Sequence, residues 1–296
     1  MVKKRKNLVW SIAFILPALS LLFVFLLYPV FEAVKLSFYK WTGIASAKPI
    51  FIGLENYKAV FQSPNFWLSM RNALFFMIGG FLILMPLAFL LAKIITSSIR
   101  GVKFFKVSYY LPVMLPVTAV GLIWVYMLQP DWGLVNSLLE KVGLSEWAMN
   151  WLGTPTLNVV SVVLVNEWIF AGFNMLIFAA GLVSIPQDVY ESAKIDGASK
   201  FKTLIYITLP LMKESFKVFS VLCICGCLKT FDLMFAMTGG GPNHTSEVPA
   251  TLLYTEAFSS KNFGRGNAIG VVILVLGMVL SIGLNKAMKS EDDSVK

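Results

Sequence analysis

The sequence predicts an all-α fold: a polytopic membrane protein with six transmembrane helices and both termini in the cytoplasm. Three observations carry the prediction. Hydrophobic residues make up 57% of the 296-residue chain and charged residues 14%, where ordinary soluble domains carry about 45–50% and about 25%. Six stretches approach the roughly 20 apolar residues that a helix needs to cross a bilayer. Lysine and arginine gather in the connections that would share one face of the membrane, and the richer face is the cytoplasmic one.

The first stretch, Leu8 to Phe31, follows "KKRK". It is longer than the apolar core of a secretory signal peptide and no small-residue cleavage site follows it, so it stays as a helix. After it comes "KWTGIASAKPIFIGLENYKAVFQSPNFW", whose Gly, Pro and aromatic content suits a membrane-surface segment anchored by aromatic rings. The second and third stretches run from Asn72 to Ile95 and from Val107 to Leu128. The connection from Gln129 to Thr156 holds a short amphipathic helix flanked by tryptophans. The last three stretches run from Leu157 to Val183, Phe216 to Met237, and Ala268 to Ala287, and the acidic "SEDDSVK" reads as a frayed end. No internal repeat, low-complexity tract or dividing linker interrupts the chain, which predicts one domain over residues 1–296.

An even number of spans puts both termini on one side. Counted that way, 16 of the 25 Lys and Arg residues fall in Lys3–Lys6, Lys93–Lys106, Lys194–Lys217 and Lys286–Lys296; 8 fall opposite, and Lys229 lies inside the fifth stretch. The formal charge of +9 does not indicate nucleic acid, because the cations are scattered between apolar runs and form no aromatic-interleaved basic face. Cys223, Cys225 and Cys227 share one apolar stretch, where helical spacing puts the first and third together as small hydrophobes and turns the middle one away. His244 is the single histidine, in a loop beside "GGGP", so neither a catalytic triad nor a His-rich metal centre can be assembled. The chain is expected to be no enzyme and to carry no cofactor and no metal.

One polar segment separates the fourth and fifth stretches: "SIPQDVYESAKIDGASKFKTLIYITLP", beginning at Ser184. Ser184 and Gln187 have capping-box spacing and Pro186 suits a first helical turn. A helix is expected to run to Asp196 and stop at Gly197, which tolerates the left-handed conformation. Ser199 can cap a second helix through Thr208, and Pro210 then bends the chain toward the fifth span. The first helix is too short to cross lipid. Val189, Ser192, Ala193 and Asp196 recur at three- and four-residue spacing, a thin stripe of small groups. Glu191 and Asp196 add carboxylates. Local physics leaves two readings open, a docking surface for another protein or a solvated connector.

This segment resembles the EAA loop of binding-protein-dependent ABC transporter permeases. The family pattern of Glu-Ala-Ala, a glycine and then Ile-x-Leu-Pro is met by Glu191-Ser192-Ala193, Gly197 and Ile207-Thr208-Leu209-Pro210, with "IDGAS" intact. "FIGLENYKAVFQSPNFW", "AGFNMLIFAAGLVSIP" and "FDLMFAMTGGGPNHTSE" extend the likeness from Trp10 to Ala287, toward the carbohydrate-uptake branch of maltose- and glycerol-phosphate-type permeases. Ser192 replaces the usual alanine, and Glu214 stands where many relatives have proline.

The resemblance implies a type I ABC importer transmembrane domain in the cytoplasmic (inner) membrane, with a coupling loop over about residues 184–213. It also implies that Glu191, Ser192, Ala193, Asp196 and Gly197 meet an ABC ATPase subunit. The further implied partners are a second, related permease in a heterodimer, an extracytoplasmic sugar-binding protein and a sugar, with no nucleic acid. ATP hydrolysis belongs to other chains, since the sequence has no G-x-x-x-x-G-K-[ST] loop.

Polar residues inside spans are expensive and are functional candidates by default. Asn166 and Glu167 lie in the fourth stretch, Lys229 and Asp232 in the fifth. Lys229 and Asp232 are three residues apart and could form a self-satisfied pair. In relatives, sugar hydroxyls are held by these two spans, so the resemblance places a substrate path at Trp168, Gly172, Asn174, Met175, Lys229, Thr230 and Asp232. Two other readings are a permease for another polar solute, such as a polyol or glycerol phosphate, and an ion-coupled secondary transporter using Glu167 and Asp232. The second lacks the inverted repeat it would need.

Overall fold

The computed structural model describes residues 14–44, 46–97 and 100–288. The Lys3–Lys6 cluster, the start of the first expected span, Lys289 and the acidic tail lie outside the described residues. The elements in chain order are α1 (Phe14–Leu36), strands β1 (Tyr39–Lys40) and β2 (Ile50–Phe51), α2 (Glu55–Gln62) and α3 (Pro64–Ile95). There follow α4 (Val102–Met114), α5 (Val117–Met127), α6 (Leu134–Lys141), α7 (Leu157–Ser184) and α8 (Gln187–Ile195). The chain ends with α9 (200–211), α10 (Lys213–Lys229), α11 (Asp232–Thr238), α12 (Pro249–Tyr254) and α13 (Phe263–Ala287). Helices α1, α3, α7 and α13 are each long and apolar enough to cross a membrane unbroken. The pairs α4–α5 and α10–α11 raise the number to six if each counts as one bent span.

The two bent pairs correct the expected continuous spans from Val107 to Leu128 and from Phe216 to Met237. Helices α4 and α5 meet at 96°. Pro112 lies inside α4, Pro116 caps α5, and Leu115 between them is extended with ψ 148°. A residue that precedes proline is pushed out of the helical region by the ring, so the break belongs to "LPVMLP" itself. Helices α10 and α11 meet at 44°. No proline acts there. Thr230 is non-helical with ψ 116°, and its hydroxyl donates to the Gly226 carbonyl at 3.0 Å, a side-chain bond that competes with the helical ladder.

Proline also explains three wide turns. Single π-turns occupy Phe23–Leu27 in α1, Gly80–Leu84 in α3 and Leu204–Thr208 in α9. Each ends two residues before a proline: Pro29, Pro86 and Pro210. A proline inside a helix lacks a donor and its ring strikes the carbonyl four residues back. Widening the turn makes room for the ring while the helix continues.

Contacts divide the chain into two compact units. The first comprises described residues up to Ser63 together with Leu253–Val272. In it β1 and β2 pair antiparallel with Tyr39 opposite Phe51. The buried Asn56 amide donates to the Ser37 and Tyr39 carbonyls at 2.8 and 3.0 Å, and the Trp41 and Phe263 rings lie 5.5 Å apart. The expected surface segment is thus a small hairpin and helix tied down by hydrogen bonds and rings.

The second unit comprises Pro64–Leu252 and the described residues from Ile273 onward. Helix α7 is its axis, packed along the second half of α3 and along α4. Val159, Val162 and Ile169 are buried in one apolar cluster, Met175 and Phe178 in another. After α11 a loop is pinned back onto α3: Asn72, fully buried, donates to the Thr245 and Glu247 carbonyls at 2.9 and 2.8 Å. His244 lies in this loop as expected, 3.2 Å from the buried Glu247 carboxylate, which also accepts from the Thr251 hydroxyl at 2.6 Å. Helix α6 is flanked by Trp132 and Trp147, as its sequence indicated.

Candidate functional site

The second unit carries two places where polar chemistry interrupts the apolar body. The first is a cavity of about 340 Å³ between α3, α7 and the break that separates α10 from α11. The break creates it, because an unwound turn at Thr230 and Phe231 turns Lys229, Thr230 and Asp232 onto one wall. Helix α7 supplies Asn166, Glu167 and Asn174. Phe170, Phe173 and Phe219 fill the remaining wall with aromatic surface. Hydrogen-bonding groups on an aromatic ground are what a polyhydroxylated solute needs, since its ring faces are apolar and its edges polar.

Of the seven residues expected along a substrate path, Asn174, Lys229, Thr230 and Asp232 line this cavity, while Trp168, Gly172 and Met175 do not. Trp168 packs edge-on against Trp124 with ring centroids 5.7 Å apart. Met175 is wholly buried in the apolar core. Gly172 faces α4 so closely that a β-carbon there would overlap the Tyr109 carbonyl. These three lie on other faces of α7, because a helix turns about 100° per residue and residues 168–175 cannot share one wall. Asn166 and Glu167, which the sequence marked as polar residues within a span and, for Glu167, as an ion site in the secondary-transporter reading, are among the residues that line the wall. Lys229 and Asp232 do not form the expected pair: among the described residues neither takes part in an ion pair, and both are exposed.

The second place is the connection formed by α8 and α9. Pro186 precedes α8, and the Ser184 hydroxyl bonds the Gly181 carbonyl at 2.7 Å, so the expected capping box is not formed. The helix ends as its sequence indicates. Gly197 has φ +74° and the Ala198 N–H reaches the Ala193 carbonyl at 2.9 Å, closing the left-handed cap. Ser199 caps α9 by accepting from the Lys202 N–H at 3.3 Å.

The expected stripe on α8 divides between two faces. Ala193 is buried and Val189 packs on the protein's own core, while Glu191, Ser192, Asp196 and Gly197 are exposed. Ala193 therefore seats α8 on its own unit. The Gln187 amide holds the Glu191 carboxylate at 3.1 Å. Ile195 is 85% exposed beside them, an apolar group that the spacing argument passed over because it lies one position off the stripe. Phe201 and Tyr206 of α9 are exposed as well. The outward face thus combines a carboxylate, a small hydroxyl and a bare aliphatic side chain.

Residues 85–289 match the family described as binding-protein-dependent transport system inner membrane component. The chain is 32% identical to the probable ABC transporter permease protein YurN of Bacillus subtilis, over 97% of this chain and 98% of that protein. It is 32% identical to the trehalose/maltose transport system permease protein MalF of Thermococcus litoralis, over 90% of each. Among solved structures it is similar to a chain of a bacterial ABC transporter involved in import of the acidic polysaccharide alginate, with TM-score 0.81 and 25% identity over 96% of both chains. It is equally similar, with TM-score 0.81 and 25% identity, to a chain of a bacterial alginate ABC transporter solved in complex with an alginate pentasaccharide-bound periplasmic protein.

Proposed function

Because this chain belongs to the family of binding-protein-dependent transport system inner membrane components, we propose that it forms half of the translocation pathway of an ATP-driven importer for a carbohydrate, an oligosaccharide above all. The observation that carries the reading is the cavity at the α10–α11 break, where amides, a hydroxyl and charged groups stand on an aromatic wall within a membrane-spanning body. The names of the trehalose/maltose and alginate relatives support the cargo class.

In this reading residues 1–296 act as one transmembrane domain, with both termini and the α8–α9 connection on the cytoplasmic side of the inner membrane. The lysine and arginine imbalance supports that orientation. Helix α8 docks on an ATPase subunit through Glu191, Ser192, Ile195 and the Asp196–Gly197 cap, with Ala193 holding it to the chain's own core. Closure of two ATPase subunits then moves α8 as a rigid body, and the spans alternate between inward- and outward-facing states. A second, related permease supplies the facing half of the pathway, and an external binding protein delivers the sugar. The chain itself needs no cofactor, and hydrolysis takes place on its partners.

Reconstitution tests this. The chain, its companion permease, the ATPase and the binding protein are placed in liposomes, and uptake of labelled oligosaccharides is followed with and without ATP. ATP-dependent uptake that disappears when the ATPase is omitted is the expected result. Uptake driven by an ion gradient without ATPase, or no uptake of any saccharide, would overturn it.

A further inference from the structure

Arg100, Lys103 and Lys106 are exposed at the start of α4, three residues apart from one another. Among the described residues none of them takes part in an ion pair. Other cations on the long helices do have a carboxylate partner: Glu32 for Lys35 in α1, Glu214 for Lys217 in α10 and Glu256 for Arg265 in α13. Here the sequence offers no local candidate, because no Asp or Glu occurs between Glu55 and Asp131. Aromatic rings stand beside the cations. Phe104 is 72% exposed, and Phe105 stacks along Tyr109 with ring centroids 6.5 Å apart and planes 18° from parallel. Every residue from Lys103 to Tyr109 is exposed. Helix α4 meets Gly172 of α7 through the backbone of Tyr109 and Tyr110, which leaves the side chains of its first turns pointing away from the protein.

The position of these groups decides which anion they meet. Helix α3, an unbroken span, ends at Ile95, and α4 opens the next, bent span at Val102. The basic end of α4 therefore lies where hydrocarbon gives way to headgroups. Aromatic rings settle at that boundary. Lysine and arginine there run their stems along apolar surface and hold their charge in the polar layer. Cations clustered at the end of a span attract anionic lipid, whereas phosphatidylcholine carries an ammonium that offsets its own phosphate. The free charge on α4 and the charge of an anionic headgroup are complementary, and the exposed rings suit the acyl chains just beneath.

We infer that the start of α4 is a docking surface for anionic phospholipid: Arg100, Lys103 and Lys106 bind headgroup phosphates of the leaflet on the proposed cytoplasmic side, while Phe104 and Phe105 lie among the acyl chains. Nothing in this contact depends on the cargo.

The test uses the assembled transporter, otherwise free of cysteine, with a bimane fluorophore attached through Ser108→Cys, an exposed position beside the cations. It is reconstituted in phosphatidylcholine bilayers containing increasing fractions of either phosphatidylglycerol or phosphatidylcholine brominated in the acyl chain, and quenching reports which lipid is adjacent. Phosphatidylglycerol should reach half-maximal quenching at a mole fraction about fivefold lower than phosphatidylcholine. Combining Arg100→Gln, Lys103→Gln and Lys106→Gln should abolish that difference, and combining Arg100→Lys, Lys103→Arg and Lys106→Arg, which keeps the charge, should preserve it. Equal quenching by both lipids in the parent overturns the inference, as does an undiminished preference in the neutralised variant. Feeble quenching by both lipids would mean that another subunit covers this face, and overturns it too. So does loss of the preference in millimolar glycerol 1-phosphate at fixed ionic strength, which would assign the cations to a soluble phosphate. Should the neutralised variant fail to assemble, Lys103→Gln alone takes its place and should reduce the preference at least twofold; an unchanged preference there overturns the inference.

Discussion

Gly172 of α7 lies against the backbone carbonyl of Tyr109 in α4, at a separation that leaves no room for a β-carbon. Backbone meets backbone here, so neither side can turn away to relieve a clash. Gly172→Ala should cost about 1–3 kcal/mol through overpacking. Thermal unfolding of the detergent-solubilised protein should show a lower midpoint for Gly172→Ala and little change for Gly226→Ala, a helical glycine with open space where its β-carbon would go.

Gly197 ends α8 at φ +74° with nothing within reach of an added β-carbon. Strain and contact can therefore be separated. Gly197→Asn keeps access to the left-handed region, whereas Gly197→Val loses about 1–2 kcal/mol there. ATPase copurification should survive Gly197→Asn and fall at least fivefold for Gly197→Val. Equal retention by both would remove the cap from the docking account.

Ile195 exposes most of its side chain on the outward face of α8. Ile195→Ser should leave insertion and folding unchanged, because the side chain packs on little of its own protein. The same change should weaken ATPase attachment by about tenfold if it removes a buried aliphatic anchor from the interface. Sedimentation of the solubilised complex checks this, and unaltered association would return α8 to the status of a connector.

Lys229 and Asp232 face the cavity as separate charges. Neutralising either one should reduce transport severalfold while assembly stays normal, and neutralising both should not restore it. Restoration by the double change would mean that the two form a pair in the assembled transporter and serve structure.

The proposed orientation rests on charge alone and can be measured directly. In a background without Cys223, Cys225 and Cys227, Ser199→Cys and Ser260→Cys place thiols at two exposed positions. An impermeant maleimide applied to intact cells should label the cysteine at 260 and miss the one at 199. Labelling of position 199 from outside would invert the topology.

Much of this protein is written locally. Apolar runs of bilayer length give helices because no other open structure satisfies its backbone in lipid. Gly197 and Ser199 mark the ends of α8 and α9 through their own conformational preferences, and Cys223 and Cys227 meet at 4.0 Å while Cys225 turns toward Ser281, as helical spacing requires. Even the break at "LPVMLP" and the π-turns before Pro29, Pro86 and Pro210 are legible once proline is read as a missing donor with a ring attached. The EAA-like pattern pointed to the family by likeness of residues, and that likeness needed no fold.

Tertiary structure alone decided which face of each helix is used. Asn166, Glu167, Trp168, Gly172 and Met175 all lie in one continuous helix, and nothing in their order says that the first two line a cavity while the others pack on Trp124, Tyr109 and the core. The hydrophobic pattern that marks a face in a soluble helix is nearly absent from α7, because lipid, protein core and cavity wall all accept apolar side chains. The same holds on α8, where Ala193 turns inward and Ile195 outward against the simple ranking of hydrophobicity. In a membrane span, burial no longer sorts residues by polarity, so the direction of a side chain is settled by the neighbours that other parts of the chain bring to it.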